Sequence, residues 1–302
     1  MKESIKQELT LKVKGKISFE EPLKKHTSFQ VGGAAEVFII PQDVADLQQL
    51  MGYLNKTGIN QTVIGNGTNL LISDQGISGV VIKLVGGIDE IEIKGQRLIA
   101  GGGASLPVVA KQAAEAGLSG LEFASGLPAT VGGATVMNAG LKSLNDMSRI
   151  IDKVRVVSST GKLQVFDSDE CSFGYRQSRF QRDDSIIVGV EMELKPKDKE
   201  EIEAKMKELI TNRKENQPLK VPNAGCIFKN PVSDSAGRLI DEAGGKGMQI
   251  GGAEVSDKHA NFIINKGNAT AQDILDLIIE VENLVKEKYG LELEREVQIL
   301  SG

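Results

Sequence analysis

Two glycine-dense polar segments constrain this chain more than any other feature. The first is Gly65-Asn66-Gly67-Thr68-Asn69, followed by Leu70; the second is SGLEFASGLPATVGGATVMNAG at 119–140. The first follows QTVIG, which reads as a strand, and its glycines let the backbone approach a ligand with N–H groups free, an arrangement suited to a phosphate or pyrophosphate. It is no dinucleotide fingerprint, because Leu70 occupies the third glycine position, and no P-loop, because no Lys-Ser/Thr pair follows. In the second segment Gly126, Pro128, Gly132, Gly133, Asn138 and Gly140 alternate with Ser125, Thr130 and Thr135. Glycines serving tight turns between short strands would give the same pattern. Two such segments in one chain favour a single long, phosphate-bearing ligand, and both readings stay open on the residues alone.

The surrounding pattern is mixed α and β. AAEVFIIP at 34–41 reads as a strand ended by Pro41, and Asp43 caps a helix with Val44, Leu47, Leu50, Met51 and Leu54 on its apolar face and Gly58 past its end. With QTVIG and GVVIKL at 79–84 this makes a β-α-β unit and predicts a parallel element. IDEIEI and RLIAGGG follow as strands, then an alanine-rich helix over 105–117 with Pro107 near its start. VRVVSS, KLQVFD and SIIVGVEMEL alternate like antiparallel strands. Residues 1–20 read as a charged, helical or frayed lead-in. Composition shifts at 195, where a charged surface helix with Ile202, Met206, Leu209 and Ile210 ends before Pro218. Beyond it come the loop PNAGCIFKNP, a short helix at 236–243, the strand NFIIN, and a long helix from 271. That helix has a Thr270/Asp273 capping box and a stripe of Ile274, Leu277, Ile278, Val281 and Leu284.

Composition narrows the function. The chain has 302 residues, enough for one large domain or for two or three subdomains with cores, the latter being the expectation. Its 36 basic and 41 acidic residues leave a net charge of −5, which suggests neither a nucleic-acid nor an anionic-membrane partner. Cys171 and Cys226 lie far apart without CxxC spacing, and only His26 and His259 join them, so neither a disulfide framework nor a metal site is expected. No apolar leader or membrane-length apolar run is present, and the expected location is the cytoplasm.

Six blocks carry a resemblance. They are GNGTNLLISDQGISGVVI at 65–82, ASGLPATVGGATVMNAG at 124–140, FGYRQSRF at 173–180, PNAGCIFKNP at 222–231, GRLIDEAGGKGMQIGGAEVSDKHANFIIN at 237–265 and LEREVQILSG at 293–302. In that order they resemble the UDP-N-acetylenolpyruvoylglucosamine reductase family, in its shorter class without the extra tyrosine-bearing loop region. The resemblance implies an α+β fold: a two-subdomain FAD-binding module of PCMH/VAO type over 1–195, with subdomains about 20–85 and 86–195, then a smaller α+β substrate domain over 196–302. The last strand near 296–302 would return to the FAD domain. It further implies noncovalent FAD bound by Gly65, Asn66, Gly67, Thr68, Asn69, Leu70, Ser125, Gly126, Pro128, Thr130, Gly133, Asn138 and Gly140. The electron donor would be NADPH and the substrate a UDP-sugar, with no oligomer expected.

The chemistry so implied is reduction of an enolpyruvyl ether: hydride to the methylene carbon, a proton to its neighbour, and negative charge building on the carboxylate. A flavin supplies hydride; a cation and a proton donor are also needed. Arg176 matches the family's YR motif, and its guanidinium holds a carboxylate with two hydrogen bonds; by itself it would read as a surface ion pair. Cys226 occupies the proton-donor position, usually serine in the family. A free thiol with a pKa of about 8.5 is mostly protonated at neutral pH, although an isolated cysteine more often packs inertly. Glu296 would polarise the enol ether, with Glu292 and Glu294 at the same period-two spacing as its rivals. Tyr175, Lys229, Asn230 and His259 are substrate-binding candidates, and Lys246 is a weaker one. Gln30 stands where a basic residue often occurs, and LKSLNDMSRII follows NAG in place of an aromatic-glycine pair. Two rival readings remain: an oxidase of the same FAD-binding superfamily, whose reduced flavin would react quickly with oxygen and ignore UDP-sugars, and a degenerate nucleotide-binding protein without turnover.

Overall fold

The computed structural model describes residues 1–301 except 143 and 144, so Ser143 and Leu144 of the LKSLNDMSRII segment lie outside the described residues. The chain forms two compact units, each assembled from separated stretches. The first comprises Met1–Phe19, Glu36–Asn66 and Ser78–Thr211; the second comprises Glu20–Ala35, Gly67–Ile77 and Asn212–Gly302.

The first unit is built on two sheets. In the four-stranded sheet the spatial order is Lys16–Pro22, Ala34–Ile40, Ile77–Lys83, Gln61–Ile64. Gln61–Ile64 runs parallel to Ile77–Lys83 with Ile64 beside Lys83, so the parallel element is present, and Ile77–Lys83 separates the two strands joined by the helix. That helix, Val44–Thr57, starts where the Asp43 carboxylate accepts Asp46 N–H and stops at Gly58, whose φ of 65° suits glycine. It buries Leu47, Leu50, Met51 and Leu54 against Val37, Ile39, Val80 and Ile82. The lead-in differs from its expected form: residues Glu3–Lys12 are helical, but Lys16–Pro22 is an edge strand. Its entry is held by buried Asp46, whose carboxylate accepts the N–H groups of Lys14, Gly15 and Gln42, each at 2.9 Å. A partner distant in sequence decides this conformation.

The second sheet is antiparallel, in the order Leu163–Asp167, Ile151–Val157, Ile186–Glu193, Arg97–Gly101, Ile91–Lys94. Val154 faces Val190, which faces Ala100, and all three are fully buried. Helix Leu106–Glu115 joins this core through Leu106, Val109, Ala110 and Ala113. The second glycine segment is not a set of turns between strands. Val131–Val136 is a short helix capped by Thr130, whose hydroxyl accepts Gly133 N–H. A cap and tertiary contact offset the low helix propensity of its two glycines.

The second unit packs helices Ala236–Glu242 and Ala271–Tyr289 with the antiparallel strands Gln249–Ile250, Ala253–Val255 and Ile263–Asn265. The long helix buries Ile274, Leu277, Ile278, Val281 and Val285. Val285 therefore takes the inward place expected of Leu284, because the stripe advances by four residues after Val281 and Leu284 is left half-buried. The capping box forms as expected: Thr270 Oγ1 accepts Asp273 N–H, and the Asp273 carboxylate accepts the N–H groups of Thr270 and Gly252. Asp74 adds a second anchor, its two carboxylate oxygens accepting Ala271 and Gln272 N–H at 2.9 and 3.0 Å.

These hydrogen bonds, the one from Thr270 above all, hold Asp273 below the usual carboxylate range. A carboxylate depressed in the folded state stabilises fully above its unfolded pKa of about 3.9. That stability is lost as pH falls through the folded value. Asp273→Asn should therefore lower stability at pH 7, with the gap to wild type narrowing by pH 3 in urea unfolding. A gap independent of pH would deny the carboxylate this role.

Candidate functional site

In the first unit the two glycine segments meet. A Cβ at Gly65 would stand 2.5 Å from Thr130 Oγ1, so the approach requires glycine. Asn66 Nδ2 donates to Pro128 O at 3.2 Å, across 62 positions of chain. Thr130 is buried, and Ser125 Oγ donates to Glu122 O. Two segments far apart in the chain are thereby held side by side.

The YR pair lies at the tip of a tight turn. Gly174 and Gln177 exchange both backbone hydrogen bonds, at 3.0 and 3.1 Å, around Tyr175 and Arg176. Arg176 has φ of 55°, in the left-handed region where such a turn usually carries glycine. Three contacts hold it there. Arg176 Nη2 donates to Gly140 O at 2.8 Å, Gln181 Nε2 donates to Arg176 O at 2.9 Å, and the guanidinium lies over the Tyr175 ring at 5.2 Å. Asn138 fixes the turn from beneath: its Nδ2 donates to Gly174 O and its Oδ1 accepts Ser148 N–H, both at 2.9 Å. Asn138 is itself left-handed, with φ of 41°, and buried. A cavity of about 420 Å³ opens beside this turn, lined by Asn138, Asp146, Arg149, Phe173 and Tyr175 among others. The structure therefore joins Asn138, Gly140, Tyr175 and Arg176 in one cluster.

In the second unit the PNAGCIFKNP loop is pinned beside the C-terminal segment. Glu296 N–H donates to Ile227 O at 2.7 Å, Lys229 N–H donates to Glu294 O at 2.8 Å, and Phe228 bridges Arg295 antiparallel. Half-buried Cys226 and half-buried Glu296 thereby lie on two segments joined by the isolated Phe228–Arg295 bridge. The chain continues as Gln298–Leu300, parallel to Leu70–Ile72, with Gln298 N–H donating to Asn69 O and Asn69 Nδ2 donating to Glu296 O at 3.0 Å. The last strand thus pairs with the strand leaving the first glycine segment. At Gly67, φ is 64° and a Cβ would stand 2.0 Å from His26 O, so only glycine fits.

The neighbouring charges separate the three C-terminal glutamates. Glu292 pairs with Lys286 at 2.8 Å and Glu294 with Lys229 at 2.6 Å, both glutamates being exposed, whereas Glu296 is half-buried. Asn230 Oδ1 accepts Ala236 N–H at the start of helix Ala236–Glu242. His259 is half-buried, burial pushes its pKa down, and its Nδ1 accepts Asn261 N–H at 3.2 Å, which leaves the proton of the neutral ring on Nε2. Lys246 pairs with Asp241 at 2.6 Å. Gln30 is left-handed, with φ of 58°.

Sequence reasoning missed two residues of this site. Arg213 is half-buried and interacts electrostatically with Cys226, burial holding its pKa below the ordinary guanidinium value; its Nε donates to Gln217 Oε1 at 3.0 Å. The available signal was its place three residues beyond Ile210 on an apolar helical stripe. Asn261 is buried and bonds twice to the Phe228 backbone. Its signal was a polar residue inside an apolar run.

Among the described residues no group of three His, Cys, Asp or Glu could hold a metal ion, and no helix is long and apolar enough to cross a membrane.

Residues 35–167 match the model of an FAD binding domain, so the class is a flavin-binding oxidoreductase with an appended C-terminal domain. Residues 217–300 match the model of the UDP-N-acetylenolpyruvoylglucosamine reductase C-terminal domain. The chain is 44% identical over 295 residues to the UDP-N-acetylenolpyruvoylglucosamine reductase of Bacillus licheniformis, covering 97% of each chain. It is 42% identical to that of Bacillus subtilis over 301 residues, covering 99% of each. The crystal structure of the Thermus caldophilus enzyme superposes with a TM-score of 0.81 at 39% identity, over 95% of this chain and 98% of that one. This chain belongs to the UDP-N-acetylenolpyruvoylglucosamine reductase family, FAD-dependent oxidoreductases of peptidoglycan precursor synthesis.

Removing the Asn138 side chain would take away the acceptor of Ser148 N–H and one of the two donors to Gly174 C=O, and place alanine in the left-handed region. Asn138→Ala should therefore lose about 2–4 kcal/mol in urea unfolding, and a loss below about 0.5 kcal/mol would show that the turn is held otherwise.

Proposed function

We propose that this chain reduces UDP-N-acetylglucosamine enolpyruvate to UDP-N-acetylmuramate, using NADPH and noncovalently bound FAD in the cytoplasm. The observation that supports the reading is the bonding of residues 227–229 to 294–297, which holds the Cys226 loop beside the segment carrying Glu296, itself tied to Asn69. FAD supplies the hydride when bound. The surface where Gly65 and Asn66 meet Pro128 and Thr130 would hold its pyrophosphate, with Ser125, Gly126 and Gly133 alongside. Asn138 and Gly140 would support that surface from the Arg176 turn, and Gly67, Thr68, Asn69 and Leu70 would continue the first loop.

Arg176 grips the substrate carboxylate with its guanidinium fork and stabilises the charge that builds there. The thiol of Cys226 donates the proton to the carbon next to the carboxylate, and the resulting thiolate regains a proton from solvent. Arg213 favours that transient thiolate, because an opposite charge stabilises the ionised form. Glu296 polarises the enol ether. Lys229, Asn230, Tyr175 and His259 bind the sugar nucleotide, Lys229 exchanging exposed Glu294 for a phosphate oxygen.

Anaerobic reoxidation of reduced flavin by the enolpyruvyl UDP-sugar tests the reaction. Cys226→Ser should retain substantial activity, whereas Cys226→Ala should slow reoxidation by about two to four orders of magnitude, the span usual for a lost general acid. Equal rates in wild type and the Ala variant would remove Cys226 from the chemistry.

The strain at Arg176 offers a second check. Arg176→Gly relieves the left-handed backbone, so its melting temperature should hold or rise while turnover collapses. Arg176→Lys should also be severely impaired, because a point charge does not replace the planar fork. Near-normal turnover in either variant would refute the carboxylate assignment.

A further inference from the structure

The segment that carries Cys226 is held from both sides. On one side Ile227 O and Lys229 N–H bond to the C-terminal segment. In an extended chain the intervening residue points its own N–H and C=O the opposite way, so those of Phe228 face the interior of the second unit, where Phe228 is 1% exposed. Asn261 meets them there. Its Oδ1 accepts Phe228 N–H at 2.9 Å and its Nδ2 donates to Phe228 O at 2.8 Å. Its main-chain oxygen also accepts Ile227 N–H at 2.9 Å. A carboxamide offers one donor edge and one acceptor edge, the same pair a neighbouring strand would present. The residue is itself 2% exposed, so water does not replace it.

On the other flank of Cys226, Gly225 N–H donates to Asn223 Oδ1 at 2.9 Å. Gly225 has φ of 77°, and glycine restricts the backbone least. What fixes residues 227 and 228 therefore acts on the direction of the Cys226 side chain from its C-terminal side. We propose that Asn261 is a positioning residue for the proton-transfer step, clamping Ile227 and Phe228 so that the Cys226 thiol keeps one orientation. This rests on the reading of Cys226 as the proton donor. The hydroxyl and carboxylate side chains cannot do the same work: serine is too short to span both groups, and an ionised aspartate lacks the donor.

The test uses FAD-loaded protein reduced chemically under anaerobic conditions and mixed with the enolpyruvyl UDP-sugar, in Asn261→Leu, Asn261→Asp and Cys226→Ala. In Asn261→Leu, reoxidation should slow by about tenfold or more, the equivalent of about 1.4 kcal/mol in the barrier, with flavin content unchanged. Alkylation of Cys226 by iodoacetamide in the same native protein should accelerate, with fully buried Cys171 as the internal reference. A protonated carboxyl at position 261 restores one donor and one acceptor, so Asn261→Asp should regain reoxidation rate and slow alkylation as pH falls, relative to wild type at each pH. A merely structural role would not move that pH profile while the melting temperature stays level. Wild-type reoxidation in Asn261→Leu overturns the clamp. If that variant does not fold, an Asn261→Asp profile identical to wild type overturns it. A silent Asn261→Leu beside a crippled Cys226→Ala removes the clamp alone, whereas a fully active Cys226→Ala removes the proton-donor reading and the clamp with it.

Discussion

The C-terminal segment is the constraint on which the second unit depends. Residues 294–297 bond to 227–229, and 298–300 extend the same run alongside 70–72. Three stretches far apart in the chain, the first glycine loop's exit strand, the cysteine loop and the chain terminus, are thereby locked in one register. Side-chain contacts reinforce the backbone: Asn69 ties into Glu296, Asn261 into Phe228, and Asn265 Nδ2 into Phe29 O at 2.9 Å. Each is a buried or half-buried amide that satisfies backbone groups no regular strand reaches, which is why asparagine recurs there.

In the first unit order is achieved differently, by strain held in place. Arg176 and Asn138 both adopt left-handed backbone, a conformation that costs roughly 1–3 kcal/mol each away from glycine. Their surroundings over-determine them: the Gly174–Gln177 turn, the Gly140 carbonyl, Gln181, and the two-ended hydrogen bonding of Asn138. These contacts fix the direction in which the Arg176 guanidinium points. The glycines serve the complementary purpose, removing side chains where backbone meets Thr130 or His26 too closely for a Cβ.

Much of this was legible from residue patterns. The Asp43 cap, the Gly58 stop and the Thr270/Asp273 box follow from local chemistry and occur as read. The alternating strands after 150 form the expected antiparallel sheet. Local rules failed where a distant partner supplied the energy. Lys16–Pro22 became a strand because Asp46 captures the backbone before it. Val131–Val136 became helical under a buried threonine cap, and Val285 displaced Leu284 through the drift of the helical stripe. The EVQIL register singles out Glu296 in the sequence, whereas the pairing of Glu294 with Lys229 appears only in the structure.

The sequence by itself determined the elements, their caps, and the ordered set of motifs that places the chain in its family, because these depend on neighbours within a few turns of chain. Tertiary structure alone decided which stretches share a unit, so that 20–35 and 67–77 join the C-terminal residues while Arg176 belongs with the N-terminal ones. It also revealed Arg213 and Asn261 beside the cysteine loop. The reason is physical: a buried amide or guanidinium is defined by what it touches, and its partners lie far along the chain, where no periodicity points.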